Sequence, residues 1–153
     1  MSAFETKVPA PLVALIAGAG MFAYARVTYL SGNDSELRIA LAVALAQVSA
    51  FIALAAFAAF WRHRTTLDPF RPQRARALVT RGIFRFSRNP MYLSLLLLLA
   101  AYAVRLGAWA SWAGPLAFGL YVTRYQIVPE ERALEDLFGD SYRAYKRQTR
   151  RWL

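Results

Sequence analysis

Four stretches of the chain run without a charge for long enough to cross, or nearly cross, a bilayer, a passage that takes a helix about 20 apolar residues. The first runs from Val8 to Ala25, with Arg26 close enough to its end to snorkel. The second, from Ile39 to Trp61, is the cleanest, and Gln47 and Ser49 are its only strongly polar side chains. The third, from Pro90 to Val104, includes an unbroken run from Leu95 to Leu99 and is short enough to thin the bilayer or to stand with little tilt. The fourth runs from Leu106 to Thr123. Arg105, Gly107 and Ala108 leave room for nothing but a tight helical hairpin between the third and the fourth. The pattern predicts an all-α polytopic membrane protein of about four transmembrane helices.

The termini of these helices carry their own signals. Asn89 stands as an N-cap with Pro90 at the first helical position. Pro129, Glu130 and Glu131 place two carboxylates in a helix's first turn, where the macrodipole favours them. Leu134, Leu137, Phe138 and Tyr145 recur at helical spacing, interrupted by Gly139, with Asp140 able to cap a second short helix. Residues 129–153 therefore read as two short amphipathic helices on the membrane face. Asp68-Pro69, Arg71-Pro72 and Arg81-Gly82 mark turns in the loop 62–88. The chain divides into two N-terminal helices (1–61), a loop (62–89), a helical hairpin (90–128) and an amphipathic tail (129–153), all one membrane domain. The N-terminus does not read as a cleavable signal: Lys7 alone precedes the first apolar run as a basic residue, and no small-residue cleavage site leads to a soluble domain.

Charge orients this arrangement. The 153 residues carry a net +10 and are 58% hydrophobic, with a mean hydropathy of +0.29. Residues 1–60 sum to zero, so the excess lies in 61–153. Eight arginines against Asp68 fill 62–88, and a further basic set fills the tail, whereas 31–38 holds Asp34, Glu36 and Arg38. The basic segments then face the cytoplasm, 31–38 and 105–107 lie outside, and both termini are inside. Anionic lipid accounts for the charge better than nucleic acid does.

The absence of Cys excludes disulfides, thiolate nucleophiles and Cys-based metal sites. No metal-ligand cluster, nucleophile elbow or glycine-rich phosphate loop appears. The single His, His63, reads either as a solvated interfacial side chain or as a general base. Arg88-Asn89-Pro90-Met91-Tyr92 is either a capped, positively flanked helix start or an anion site at that start. Pro129-Glu130-Glu131-Arg132 is either a stabilised first turn or an acceptor for hydroxyls, an amine or an Arg. Phe138-Gly139-Asp140 with Tyr142 and Tyr145 is either packing or part of a site.

Residues 77–92, ALVTRGIFRFSRNPMY, resemble the L-V-T-x-G-x-Y-x-x-x-R-[HN]-P-x-Y signature of isoprenylcysteine carboxyl methyltransferase-like and phospholipid methyltransferase-like membrane proteins. The run from Glu130-Glu131 through Phe138-Gly139 to Tyr142 and Tyr145 resembles their second signature, E-E-x-x-L-x-x-x-F-G-x-x-Y-x-x-Y, one helical hairpin later. The resemblance covers residues 64–153 and implies a bacterial-type member in the inner membrane. It implies methyl transfer from S-adenosylmethionine, giving S-adenosylhomocysteine, at the cytoplasmic face to a lipophilic or small acceptor: a carboxylate, a thiol or a lipid amine. By position it implies cofactor contacts at Ala77, Leu78, Val79, Phe84, Asn89, Pro90, Met91, Tyr92 and Glu130, with Arg88, Arg124 or Glu131 orienting the acceptor. Arg88 and the helix-start N–H groups would take the cofactor's carboxylate. Membrane lipids and the acceptor are the implied partners, without nucleic acid or metal. The chain departs from the pattern at Asn89 for His, at Phe84 for Tyr, and at Gln126 where the prenylcysteine enzymes carry an Arg. The competing readings are an NADPH-dependent membrane reductase of the sterol-reductase type and a non-catalytic scaffold.

Overall fold

A computed structural model of the protein describes residues 8–28, 35–63 and 78–153, and every regular element among them is helical. The turns expected at Asp68-Pro69 and Arg71-Pro72, and Ala77 itself, lie outside the described residues.

Helix α1 (Ala10–Val27) starts beside Pro9 with Pro11 in its first turn, where a missing N–H costs no hydrogen bond, and it ends with Arg26 in its last turn. Helix α2 (Glu36–His63) begins three residues before the expected Ile39 because Glu36 suits a first turn. Both are long and apolar enough to cross a membrane, and 17% of the apolar window of each is buried. A core helix of a soluble protein hides its apolar surface. Here Leu15, Phe51 and Leu54 are each about 70% exposed, and such faces call for hydrocarbon as solvent.

Helix α3 (Pro90–Leu106) is the shared neighbour, packed most extensively on α2 and also on α1 and on α4 (Ala113–Val122). The buried Ser49 hydroxyl of α2 donates to the Ser94 carbonyl of α3 at 2.7 Å, so the one polar pair inside the seam is satisfied. Gln47, the other polar residue of the apolar run 39–61, is exposed. Gly107 ends α3 in the left-handed region (φ +70°), where an L side chain is strained, and a Cβ there would also make the Arg38 guanidinium move aside. The fourth apolar helix does not start at Leu106 as expected. A 3-10 turn, Trp109–Trp112, intervenes, and α4 begins at Ala113.

The expected break between the fourth helix and the tail is also absent. A π-helical turn, Thr123–Ile127, carries α4 directly into α5 (Val128–Phe138). Pro129 accounts for it: in an α-helical register the proline ring would press on the carbonyl four residues back, and a π-turn relieves that clash, while the missing N–H of Pro129 costs one bond in either register. Glu130 and Glu131 therefore do not open a free helix start, since Ile127 before them is already helical (φ −63°, ψ −47°). Gly139 (φ +53°) then ends α5, and α6 (Asp140–Gln148) follows. Asp140 does not cap α6; it pairs with Arg143 at 2.8 Å.

Two apolar clusters result. One joins α1, α3, α4 and the π-turn around Met21, Leu99, Phe118 and Ile127. The other joins the end of α2, the 3-10 turn Gly82–Arg85 and α6 around Ala56, Val79, Phe84, Tyr142 and Tyr145.

Candidate functional site

The two sequence signatures, 38 residues apart at their key positions, meet at the end of the bundle that holds the start of α3. Tyr92 lies one turn into α3, and its hydroxyl donates to Glu130 Oε1 on α5. Arg88, just before α3, donates through Nε (3.2 Å) and Nη2 (2.7 Å) to Glu131 Oε1. Arg151 approaches the same carboxylate from the other side, 2.7 Å from Oε2.

These neighbouring carboxylates have opposite electrostatics. Burial opposes the ionisation of Glu131, but the guanidinium hydrogen bonds from Arg151 and Arg88 outweigh it and hold its pKa below the usual carboxylate range. Glu130 is different. Burial pushes its pKa up to about 7; the Tyr92 hydroxyl pulls it down and the charge of Glu131 pushes it up again. One carboxylate is a fixed anion, and the other gains or loses its proton near neutrality.

Arg88 is the centre of a strap. Its Nη1 also donates to the carbonyls of Lys146 (3.2 Å) and Thr149 (2.6 Å), and its backbone N–H to Arg150 (3.0 Å). The Asn89 amide donates to the Arg151 carbonyl at 3.0 Å. Residues 149–152 are thus drawn across the start of α3, and Trp152 reaches the first apolar cluster. Asn89 precedes α3 as expected, yet its side chain makes no capping bond and holds the strap instead; the Asn89 N–H goes to Ser87 Oγ at 3.1 Å. Arg88 thus divides its guanidinium between Glu131 and two strap carbonyls, and Glu131 divides its carboxylate between Arg88 and Arg151.

The remaining candidates fall in three places. Val79 and Phe84 are buried in the second cluster, where Phe84 stands edge-on to Phe60 at 5.2 Å and its carbonyl accepts the Tyr145 hydroxyl at 2.7 Å. Burial holds the Tyr142 and Tyr145 hydroxyls above their ordinary pKa. Pro90 is fully buried and Met91 is exposed. Arg124 sits on the exposed side of the π-turn, over the ring of Tyr125. Gln126 is buried there, its amide donating to the Val8 carbonyl, and its Oε1 has no partner among the described residues. His63 ends α2, but its side chain lies outside the described residues. Arg151 was missed by sequence reasoning, because it reads as one more cytoplasmic arginine and no spacing links it to Glu131.

Beside this site, a cleft of about 820 Å³ opens between the 3-10 turn and α6, bordered by Leu78 and by Arg81 and Arg85. No group of metal-ligating side chains occurs among the described residues.

A family model described as phospholipid methyltransferase matches residues 37–141, which include the first signature and the second as far as Phe138-Gly139. A protein from Haemophilus influenzae (strain ATCC 51907 / DSM 11121 / KW20 / Rd), described only as uncharacterized, is 51% identical over 63 residues, 41% of this chain and 100% of that relative. No solved structure matches the chain.

Proposed function

This chain belongs to the phospholipid methyltransferase family, and from that premise we propose that it transfers a methyl group from S-adenosylmethionine to a lipophilic or small acceptor at the cytoplasmic membrane face. The observation that carries this reading is the meeting of Tyr92 and Glu130 across 38 residues. It joins the two signatures in a single corner beside the start of α3.

The residues of that corner fit the donor. A carboxylate has about four lone-pair sites. With one taken by Tyr92, Glu130 keeps acceptor capacity for ribose hydroxyls or an amino group. The Tyr92 ring offers a face to a cation. Leu78, at the edge of the cleft, gives apolar surface for a base, with Val79 and Phe84 supporting it from within the second cluster. Ala77, Asn89, Pro90 and Met91 complete the proposed contact set. When bound, S-adenosylmethionine supplies an electrophilic methyl carbon on a sulfonium. The chain's own part is to orient the acceptor in line with that carbon and to exclude water.

Arg88 and Glu131, proposed from sequence as groups that orient the acceptor, serve in this reading as positioning residues. Their ion pair sets the first turn of α5 and so the reach of Glu130. Arg124, on the same continuous helix six residues before Glu130, is the candidate for orienting the acceptor.

The four-crossing topology belongs to the same proposal: α1, α2, α3 and the segment 106–123 that holds α4 cross, and the arginine-rich 62–88 and the tail 129–153, with α5 and α6, are cytoplasmic. A single domain over 1–153 is part of the same proposal, and the contacts of α3 with α1, α2 and α4 support it.

The test is direct binding in mild detergent. Saturable binding of S-adenosylmethionine and S-adenosylhomocysteine, lost in Glu130→Ala with the melting temperature retained, is the expected result. Binding of NADPH alone would overturn the reading in favour of a reductase. Binding of none of the three by folded protein would leave a scaffold.

A further inference from the structure

Beyond Leu78 at its edge, the cleft between the 3-10 turn Gly82–Arg85 and α6 has a composition that the methyl-transfer reading does not use. Arg81 and Arg85 line it together with Thr80, Ser141 and Gln148, and no carboxylate is among the lining residues. Among the described residues, Asp140 pairs with Arg143 and Glu135 with Arg143 and Lys146, and neither acid lines the cleft. Gly82, between the two arginines, adopts φ +66°, and this turn carries both side chains to one cleft. Two guanidiniums without a counter-charge in a concave wall concentrate positive potential there. A volume of about 820 Å³ lies within the range of roughly 300–1,000 Å³ typical of small-ligand sites.

Charge decides which ligand suits this cleft. The proposed methyl donor bears a sulfonium, an ammonium and one carboxylate, so it is a net cation that two unpaired arginines repel. A phosphate monoester is nearly a dianion at neutral pH and offers acceptor oxygens to the guanidinium fork and to the hydroxyls of Thr80 and Ser141. The position of the cleft selects the source. Phe86, next to Arg85, is 69% exposed, and Trp61, at the end of α2 on which the 3-10 turn packs, is 78% exposed. Aromatic rings bared at the end of a spanning helix mark the headgroup level of a bilayer.

We infer that the Arg81–Arg85 cleft is a binding site for the phosphate headgroup of an anionic phospholipid, separate from the Tyr92–Glu130 corner. Phosphatidic acid is the probe of choice because it has no amine, thiol or carboxylate to methylate, so its binding cannot be that of an acceptor.

The experiment counts lipids on the detergent-purified full chain by native mass spectrometry during titration with phosphatidic acid, with phosphatidylcholine as control. One saturable phosphatidic acid site is expected. It should weaken at least roughly tenfold in Arg81→Ala/Arg85→Ala, as expected for the loss of charge-assisted bonds. S-adenosylhomocysteine binding, read by calorimetry, should not change. Arg147→Ala/Arg150→Ala removes the same charge from exposed positions outside the cleft. Equal weakening in that variant would mean diffuse attraction and overturn the site. Loss of S-adenosylhomocysteine binding in the cleft variant, with phosphatidic acid unaffected, would give the cleft to the methyl donor. Thermal stabilisation by inorganic phosphate where phosphatidic acid has no effect would put a soluble phosphate there and overturn the lipid assignment. Because the lipid readout involves no methyl transfer, it can fail or succeed independently of the proposed activity.

Discussion

Glu130 and Glu131 are adjacent in sequence, yet the corner around one and the strap around the other are built on opposite principles. At Glu131 a buried anion meets two guanidiniums, Arg88 largely buried beside it and Arg151 partly open to solvent. At Glu130 the prominent partner is a neutral hydroxyl, and burial keeps the proton on the carboxyl up to about pH 7. The strap spends polar groups on holding residues 149–152 over the start of α3. The corner keeps acceptor capacity in a place where the fold could have cancelled it. In the proposed reading, the compensated carboxylate holds shape and the carboxylate left with acceptor capacity serves the ligand.

The largest effect should come from breaking the strap. Arg88→Ala leaves the Glu131 carboxylate buried with part of its compensation gone and two strap carbonyls unpaired, a loss of about 3–5 kcal/mol. It should appear as a lower melting temperature in detergent and as protease sensitivity near the tail. Arg88→Lys should recover only part of this, because an ammonium cannot serve Glu131 and two carbonyls with one planar fork.

Breaking the corner should cost function rather than fold. Glu130→Ala should weaken binding of the methyl donor by about 1.5–3 kcal/mol, the range for hydrogen bonds to a charged group, with little change in melting. Equal losses of binding and stability would make Glu130 a structural acid like its neighbour.

Titration sharpens the contrast, because the two acids act with opposite sign. Glu130 has a raised pKa, so the folded state holds its proton longer than the unfolded one. Its contribution to stability is complete below the ordinary value of 4.5 and is lost as the pH rises through about 7. Glu131 has a lowered pKa, so its contribution is present above the ordinary value and is lost as the pH falls through its folded value. Glu130→Gln should flatten the upper slope of a melting-versus-pH curve and leave the acid limb intact. Tyr92→Phe removes a bond that lowers the Glu130 pKa, so the pH midpoint of donor binding should rise.

The smallest effect lies at the second cluster. Tyr145→Phe leaves the Phe84 carbonyl without its buried partner, at about 1 kcal/mol, and should shift melting slightly without altering donor binding.

The helices of the bundle were legible because hydrocarbon demands long uncharged runs, and length and charge are properties of a linear string. α1, α2 and α3 fall within three residues of the ends expected at each terminus. The fourth apolar helix was less legible. The reading took Pro129 as a new helix start, whereas the chain passes it through a π-turn that carries α4 into α5 and leaves Ile127 buried in the first cluster. The joint presence of Tyr92 and Glu130 was legible from the motif pair, but not which carboxylate would be neutralised. Two adjacent glutamates in one helical turn look alike in sequence. They differ because successive residues on a helix point about 100° apart, and only folding brought Arg151, twenty residues later, to one of those directions and Tyr92 to the other. Electrostatic partnership across such separations depends on distances of a few ångströms, and residue order carries no record of them.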